Sequence, residues 1–168
     1  MEKYLFLILL FISGFVCGQD TDSVIVNIPS VELKTIDGEL ISTSELKNTG
    51  APMIIFFWKS CCRTPNKMLS VISEEYDDWK EKTGVKIVLV SVDDSRSSNG
   101  VRPFINGMGW DYEVLLDENS EFKRAMSVTA IPTLFLFNEK GEMVWKKTSF
   151  QEGDEEEIQE RLLNLSNK

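Results

Sequence analysis

Two largely apolar runs, the first of them continuous, constrain the fold more than any other feature of the sequence. The first is APMIIFFW, residues 51–58, and the second is VKIVLVSV, residues 85–92. Each run has the length of a strand, and a continuous apolar strand is typical of a sheet that is covered on both faces. Between the runs, apolar residues recur at helical spacing up to Gly84, which predicts a helix. The sequence therefore predicts an α/β protein with helices on both faces of its sheet.

The flanking segments add elements on either side of this unit. Asp37-Gly38 is a strong turn signal and predicts a β-hairpin near the N-terminus. A second hairpin is predicted to turn near Lys140-Gly141. The spacing also predicts helices over 102–108, 119–126 and 153–165, and a short strand over 113–117.

Composition excludes several classes of function. The 168-residue chain has a net charge of -9, so nucleic acid and anionic membrane surfaces are unsuitable partners. The absence of histidine excludes Ser/His and Cys/His catalytic pairs, histidine-ligated haem and most zinc sites. Three cysteines cannot complete an all-cysteine tetrahedral site. We therefore predict neither a catalytic metal nor a cofactor.

The N-terminus has the pattern of a signal peptide. A basic residue precedes an apolar run over 4–15, and small residues follow. This pattern predicts a signal peptide over 1–18 and a mature domain over 19–168 with no membrane span. An uncleaved anchor is the alternative. A lipoprotein would use Cys17, but bulky residues before it make a poor lipobox.

The stretch FFWKSCCRTPNKML, residues 56–69, contains the two cysteines of the predicted mature chain, Cys61 and Cys62. Cys62 lies at the predicted start of a helix, where the partial positive charge and free N–H groups favour a thiolate. Arg63 adds positive charge beside it. We therefore predict a reactive thiol with a lowered pKa, and the alternative is a buried, inert cysteine.

This stretch resembles the active-site segment of thioredoxin-like proteins, in the secreted TlpA/ResA-like branch. That segment has an apolar strand, then Phe-Trp, and then Cys-x-x-Cys opening a helix. Phe57-Trp58 match, Cys61 takes the place of an aromatic residue, and Cys62 matches the nucleophilic cysteine. Pro65 stands where the second, resolving cysteine would be.

Two downstream segments extend the resemblance. VTAIPTLFLF resembles the cis-proline segment, in which Ile131 and Pro132 would offer backbone groups to an extended peptide beside Cys62. VLVSVDDSRSS resembles the strand end that often carries an acidic residue, and Asp94 fits that place best as an acid/base. Trp58 would flank the groove in which this peptide lies. Each residue also has a purely structural alternative: Pro132 as a turn proline, Asp94 as a loop carboxylate and Trp58 as a core aromatic.

The resemblance implies a thioredoxin-like fold with a central mixed sheet, an N-terminal hairpin extension and an inserted strand/helix segment. It implies an exported protein, in the periplasm or cell envelope of a bacterium, that exchanges thiols and disulfides through Cys62. Its partners would be disulfide-containing or thiol protein clients and a redox partner. The alternative is a catalytically degenerate module that binds extended peptides or a partner protein at the groove of Cys62 and Pro132.

Cys61 has several possible roles in such a site. Adjacent Cα atoms are about 3.8 Å apart, below the usual disulfide range of about 4.4–6.8 Å, so a Cys61–Cys62 bond would be a strained ring. Cys61 could instead attack a mixed disulfide on Cys62, form an intermolecular disulfide, or only fill an exposed position.

Overall fold

The computed structural model describes residues 28–166, with the side chains of residues 63–66 excepted. The predicted signal peptide, residues 1–18, lies outside the described residues. Within them, seven strands form one sheet in the order β2-β1-β5-β4-β3-β6-β7. The strands are β1 Glu32–Thr35, β2 Leu40–Ser42, β3 Met53–Trp58, β4 Lys86–Ser91, β5 Glu113–Leu116, β6 Thr133–Phe137 and β7 Met143–Thr148. The α-helices are α1 Arg63–Thr83, α2 Val101–Met108, α3 Glu121–Ala125 and α4 Asp154–Ser166, with 3-10 turns at Thr43–Glu45 and Ser98–Gly100.

The sheet is mixed, as predicted. Its centre is parallel, because β4 pairs in parallel with both β3 and β5. Its two sides are antiparallel: β6 and β7 form the C-terminal hairpin beside β3, and β1 of the N-terminal hairpin pairs with β5. The predicted α/β architecture, with its N-terminal hairpin and its inserted helix and strand, is confirmed.

Alternate residues of β3 enter two different cores, since successive side chains in a strand point to opposite faces. Ile54, Phe56 and Trp58 pack with α1, α2 and α4, and each is 0% exposed. Residues 53, 55 and 57 face the other side, where they pack with α3 and the N-terminal hairpin. The burial of both faces explains why the strand sequence is apolar throughout.

The connection from β3 to α1 is short and closes at one edge of the sheet. β3 ends at Trp58 and α1 begins at Arg63, so residues 59–62 form the turn. The first residue of β6, Thr133, pairs with Phe57 on one side and with Thr148, the last residue of β7, on the other. The cysteines, the segment before β6 and the segment after β7 therefore meet at this edge.

Gly84 ends α1 and lets the chain turn back into β4. Its φ is +68°, in the left-handed region that favours glycine. A Cβ there would lie 3.2 Å from the Cβ of Ala51. The close approach of the two segments and the positive φ both explain why the predicted helix stops at this residue.

Candidate functional site

The two thiols of residues 28–166 lie side by side at the start of α1. Cys62 is the N-cap residue, with φ -98° and ψ 126°, and its backbone N–H donates to the carbonyl oxygen of Lys59 at 3.1 Å. Both cysteines are free; Cys61 is exposed and Cys62 is half-buried. Their Sγ atoms are 3.7 Å apart, so the sulfurs are in contact without a bond between them.

A buried carboxylate, that of Asp93, holds the turn that carries the cysteines. It accepts hydrogen bonds from the backbone N–H and the hydroxyl of Ser60, each at 2.8 Å, and from the hydroxyl of Ser91 at 2.8 Å. Asp93 is 0% exposed and lies two residues after the end of β4 at Ser91. It therefore ties the turn after β3 to the end of the neighbouring strand, and hydrogen bonds to an ionised group are among the stronger ones in proteins.

The electrostatic setting of Cys62 differs from the prediction. Burial raises the pKa of the Cys62 thiol above its ordinary value, and the adjacent Cys61 sulfur and the Asp93 carboxylate raise it further. The ammonium group of Lys59 lowers the pKa, but by less than the other effects raise it. The expectation of a lowered pKa at the helix start is therefore not met.

Asp94, the residue predicted as acid/base, serves a different local purpose. It is bonded within its own loop, to the hydroxyl of Ser97 at 2.8 Å and to the guanidinium of Arg96 at 3.1 Å. These hydrogen bonds lower the pKa of the Asp94 carboxyl to about 2. A carboxyl with that pKa carries no proton near neutral pH. Asp93, not Asp94, is the carboxylate that reaches the cysteine turn.

The strand alternation in β4 distinguishes the two aspartates. Ile87 and Leu89 of β4 belong to the core beneath α1, whereas Val88 and Val90 face the other side. Continuing the period of two puts Asp93 on the α1 side, where the cysteines are. The alternation in β4 therefore predicts from the sequence that Asp93, and not Asp94, faces the cysteines, which the family resemblance did not indicate.

Trp58 does not contact the groove as predicted. Its side chain is 0% exposed, and its ring lies 5.4 Å from that of Phe104 in the core beneath α1. Since a fully buried ring cannot touch a bound peptide, the prediction that Trp58 binds substrate is wrong. Trp58 is instead the last residue of β3, directly before the turn that carries the cysteines.

The Ile131–Pro132 peptide bond is cis. Pro132 is buried and Ile131 is half-buried. Pairing between β6 and β3 ends at Thr133, so the backbone of Ile131 lies just beyond the paired part of the strand. The hydroxyl of Thr133 donates to the carbonyl oxygen of Ala130 at 2.6 Å and closes the turn around the proline. This leaves Ile131 at the same sheet edge as Cys62.

Pro65 belongs to the first turn of α1, and its side chain is outside the described part of the structure. Proline is compatible with this place because the early N–H groups of a helix have no intrahelical partner.

Across residues 28–166, no cluster of three or more potential metal ligands occurs. Over the same residues, no helix combines the length and hydrophobicity needed to cross a membrane.

A mixed sheet, a cysteine that caps the helix after its central strand and a cis-proline at the same edge together define a thioredoxin-like protein. The model of the AhpC/TSA family matches residues 24–146. The chain therefore belongs to this family of thioredoxin-like proteins.

Individual relatives agree with this assignment. The chain is 36% identical over 118 residues to the sporulation thiol-disulfide oxidoreductase A of Bacillus subtilis, covering 69% of each chain. It is 30% identical over 127 residues to the thiol-disulfide oxidoreductase ResA of the same organism, covering 76% of this chain and 68% of ResA. The solution structure of a thioredoxin-like protein from Porphyromonas gingivalis matches with a TM-score of 0.76 and 41% identity, covering 83% of this chain and 92% of that one. The relationship is therefore to thioredoxin-fold redox proteins.

The setting of Cys62 predicts an alkaline pH profile, to which Asp93 makes a small contribution. In the wild-type protein, the rate at which iodoacetamide alkylates Cys62, located by fragmentation mass spectrometry of the peptide that contains it, should rise with pH, with a midpoint above the ordinary cysteine value of about 8.5. Asp93→Asn removes a negative charge that raises the pKa of Cys62, so the midpoint should move to lower pH. Asp94→Asn is the matched control and should leave the midpoint in place; an equal shift in both variants would contradict the assignment.

Proposed function

We propose that this protein carries out thiol–disulfide exchange with a single motif nucleophile, Cys62. The observation that carries the proposal is the position of Cys62, which is free, half-buried and at the N-cap of α1, on the sheet edge that also bears cis-Pro132. The family relationship to thiol-disulfide oxidoreductases supports the class of reaction.

The first step would be attack of the Cys62 thiolate on one sulfur of a client disulfide. A bond forms between Cys62 Sγ and that sulfur, the client S–S bond breaks, and the second client sulfur leaves as a thiolate that takes a proton. The backbone of Ile131 would align the client as an added strand during this step. A raised pKa leaves few Cys62 thiolates at neutral pH, so this attack should be slow unless a client changes the environment of the thiol.

The second step would release the client. Another thiol of the client could attack the client sulfur that is bonded to Cys62. This attack regenerates Cys62 and leaves the client with a different disulfide, which is isomerisation with no net oxidation. Attack by an external thiol on Cys62 Sγ would instead release the client with both its sulfurs reduced and leave the external sulfur bonded to Cys62. A second external thiol would then attack that external sulfur, free Cys62 and leave the two external thiols joined as a disulfide. Since Pro65 carries no thiol, the motif itself cannot supply this second sulfur.

Within residues 28–166, Cys61 is the second thiol that could take part in rearrangement. Its Sγ is exposed and 3.7 Å from that of Cys62, so it lies within reach of a mixed disulfide formed there. Attack by Cys61 on Cys62 would release the client thiol and form a bond between adjacent residues, which the short Cα spacing of about 3.8 Å strains. We therefore assign Cys61 a secondary role, as a sulfur that shortens the life of the mixed disulfide.

A second candidate function is binding without turnover. The raised pKa of Cys62 favours it, because a protonated thiol is a poor nucleophile. The groove at Cys62, Ile131 and Pro132 would then hold an extended peptide through backbone hydrogen bonds alone.

With either function, we propose that residues 1–18 direct export, which would put the mature domain in the periplasm or cell envelope.

Trapping the mixed disulfide tests the proposal. The reduced protein is mixed with a peptide that contains one disulfide, quenched in acid and analysed by mass spectrometry after digestion. A peptide adduct on Cys62 is the expected product, and it should accumulate faster at pH 9 than at pH 7 because the thiolate is the nucleophile. If the peptide binds and no adduct forms, the binding module is the correct function. An adduct confined to Cys61 would also contradict the proposed mechanism.

A further inference from the structure

A partly apolar groove lies between α1 and the segment that follows β7. Its floor is formed by Met68 and Val71 of α1 and by Phe150. The ring of Phe150 lies 5.6 Å from the buried ring of Phe56, so the floor is continuous with the core beneath the sheet. The volume of about 330 Å³ is at the lower end for ligand-binding clefts and suits a few side chains of a peptide.

The rim of this groove is strongly acidic. Glu74, Glu75, Glu152 and Glu155 surround the floor, and among the described side chains that line the groove Lys67 is the one cation. None of these four glutamates forms an ion pair with a cation in the described part of the chain. The groove therefore combines an apolar floor with carboxylates that form no ion pair with the described side chains.

The groove continues from the sheet edge that bears the cysteines. Met68 is on α1, six residues after Cys62, which is about 9 Å along a helix axis. On the opposite wall, the segment with Phe150 starts directly after Thr148, which pairs with Thr133 beside the cis-proline. An extended chain held at Cys62 would reach the groove within about three residues.

We propose that this groove binds a basic, amphipathic segment of the client protein, next to the client cysteine that reacts at Cys62. A large apolar side chain of the segment fills the floor, and its lysine or arginine side chains pair with the rim glutamates. The chain's net charge of -9 adds a long-range preference for cationic over acidic clients. The role in exchange rests on the proposed function, whereas the binding preference does not.

Binding is tested first without chemistry. The Cys62→Ser protein is titrated with two fluorescent peptides in which serine replaces cysteine: one carries leucine and two lysines, and its partner carries leucine and two glutamates. The lysine peptide should bind more tightly, and high salt should weaken it. Combining Glu74→Gln, Glu75→Gln and Glu152→Gln should weaken its binding about tenfold, since each exposed ion pair contributes up to about fivefold.

A second triple variant controls for total charge. Glu39→Gln, Glu121→Gln and Glu139→Gln remove the same charge from exposed positions outside the groove, and should change the affinity less than about twofold. The proposal is overturned if both triple variants weaken binding equally, or if the two peptides bind alike. It is also overturned if sedimentation shows a dimer that only the groove variant dissociates, because a second copy would then be the occupant.

The exchange reaction separates this inference from the proposed function. Cysteine-containing versions of both peptides, as disulfides with a neutral thiol, are reacted with the wild-type protein, and the lysine version should react about tenfold faster. If the lysine peptide binds more tightly but no exchange occurs, the proposed function is wrong and the inference about the groove stands. If both peptide disulfides react at equal rates and neutral hydroxyethyl disulfide is also consumed, the proposed function stands and the inference about the groove is wrong.

Discussion

Replacing Cys62 by serine should lower the rate of thiol–disulfide exchange by more than about 100-fold, because the hydroxyl cannot form the mixed disulfide. The fold should remain intact, since Cys62 is only half-buried and makes no side-chain cap of α1. The rate is measured with a peptide disulfide at several pH values, and circular dichroism checks the fold.

Cys61→Ser is the matched control for this variant. It removes the neighbouring sulfur but leaves the proposed nucleophile, so exchange should persist while the mixed disulfide on Cys62 lives longer. A serine hydroxyl can still hydrogen-bond to Cys62. Loss of exchange in Cys61→Ser, with activity retained in Cys62→Ser, would reverse the assignment of the two cysteines.

Replacing Phe57 by alanine should destabilise the protein by about 3–5 kcal/mol, the cost of a large cavity in a packed core. Phe57 is 0% exposed, and its ring lies 5.3 Å from that of Phe122 and 5.8 Å from that of Phe135. Because single domains have a free energy of unfolding of about 5–15 kcal/mol, this loss should move the urea midpoint strongly.

Two further variants make this result interpretable. Phe57→Leu leaves a smaller cavity and should cost roughly 1–2 kcal/mol, which keeps the test possible if the alanine variant does not fold. Leu40→Ala removes an apolar side chain that is 64% exposed, and should change the free energy of unfolding by less than about 0.5 kcal/mol. Equal losses at Phe57 and Leu40 would contradict the described core.

The fold could be predicted because its main signals are local. An apolar run such as residues 51–58 needs cover on both faces, and Asp37-Gly38 specifies a tight turn regardless of the rest of the chain. Both features appear in the structure as expected, as the fully buried β3 and as the hairpin of β1 and β2. The pairing of β1 with β5 depends on residues distant in sequence, and no local pattern specified it.

The site was predicted less completely, because its properties depend on contacts between segments. The sequence located Cys62 at a helix start and a cis-proline at position 132. The raised pKa of Cys62 arises mainly from burial and from the adjacent Cys61 sulfur, with a smaller contribution from Asp93, 31 residues away in sequence. For Trp58 the local pattern was the better guide: the apolar run that ends there predicts burial, and its side chain is 0% exposed, whereas the resemblance assigned it to the peptide-binding groove.

The meeting of the cysteine turn, Asp93 and the cis-proline at one edge of the sheet has a consequence for the cost of substitutions there. The two hydrophobic cores lie beneath the faces of the sheet and contain neither cysteine. Changing an exposed or half-buried thiol should therefore cost the fold less than changing Asp93 or Pro132, which are buried at the same edge. The reactive sulfurs can be altered while the architecture that positions them is kept.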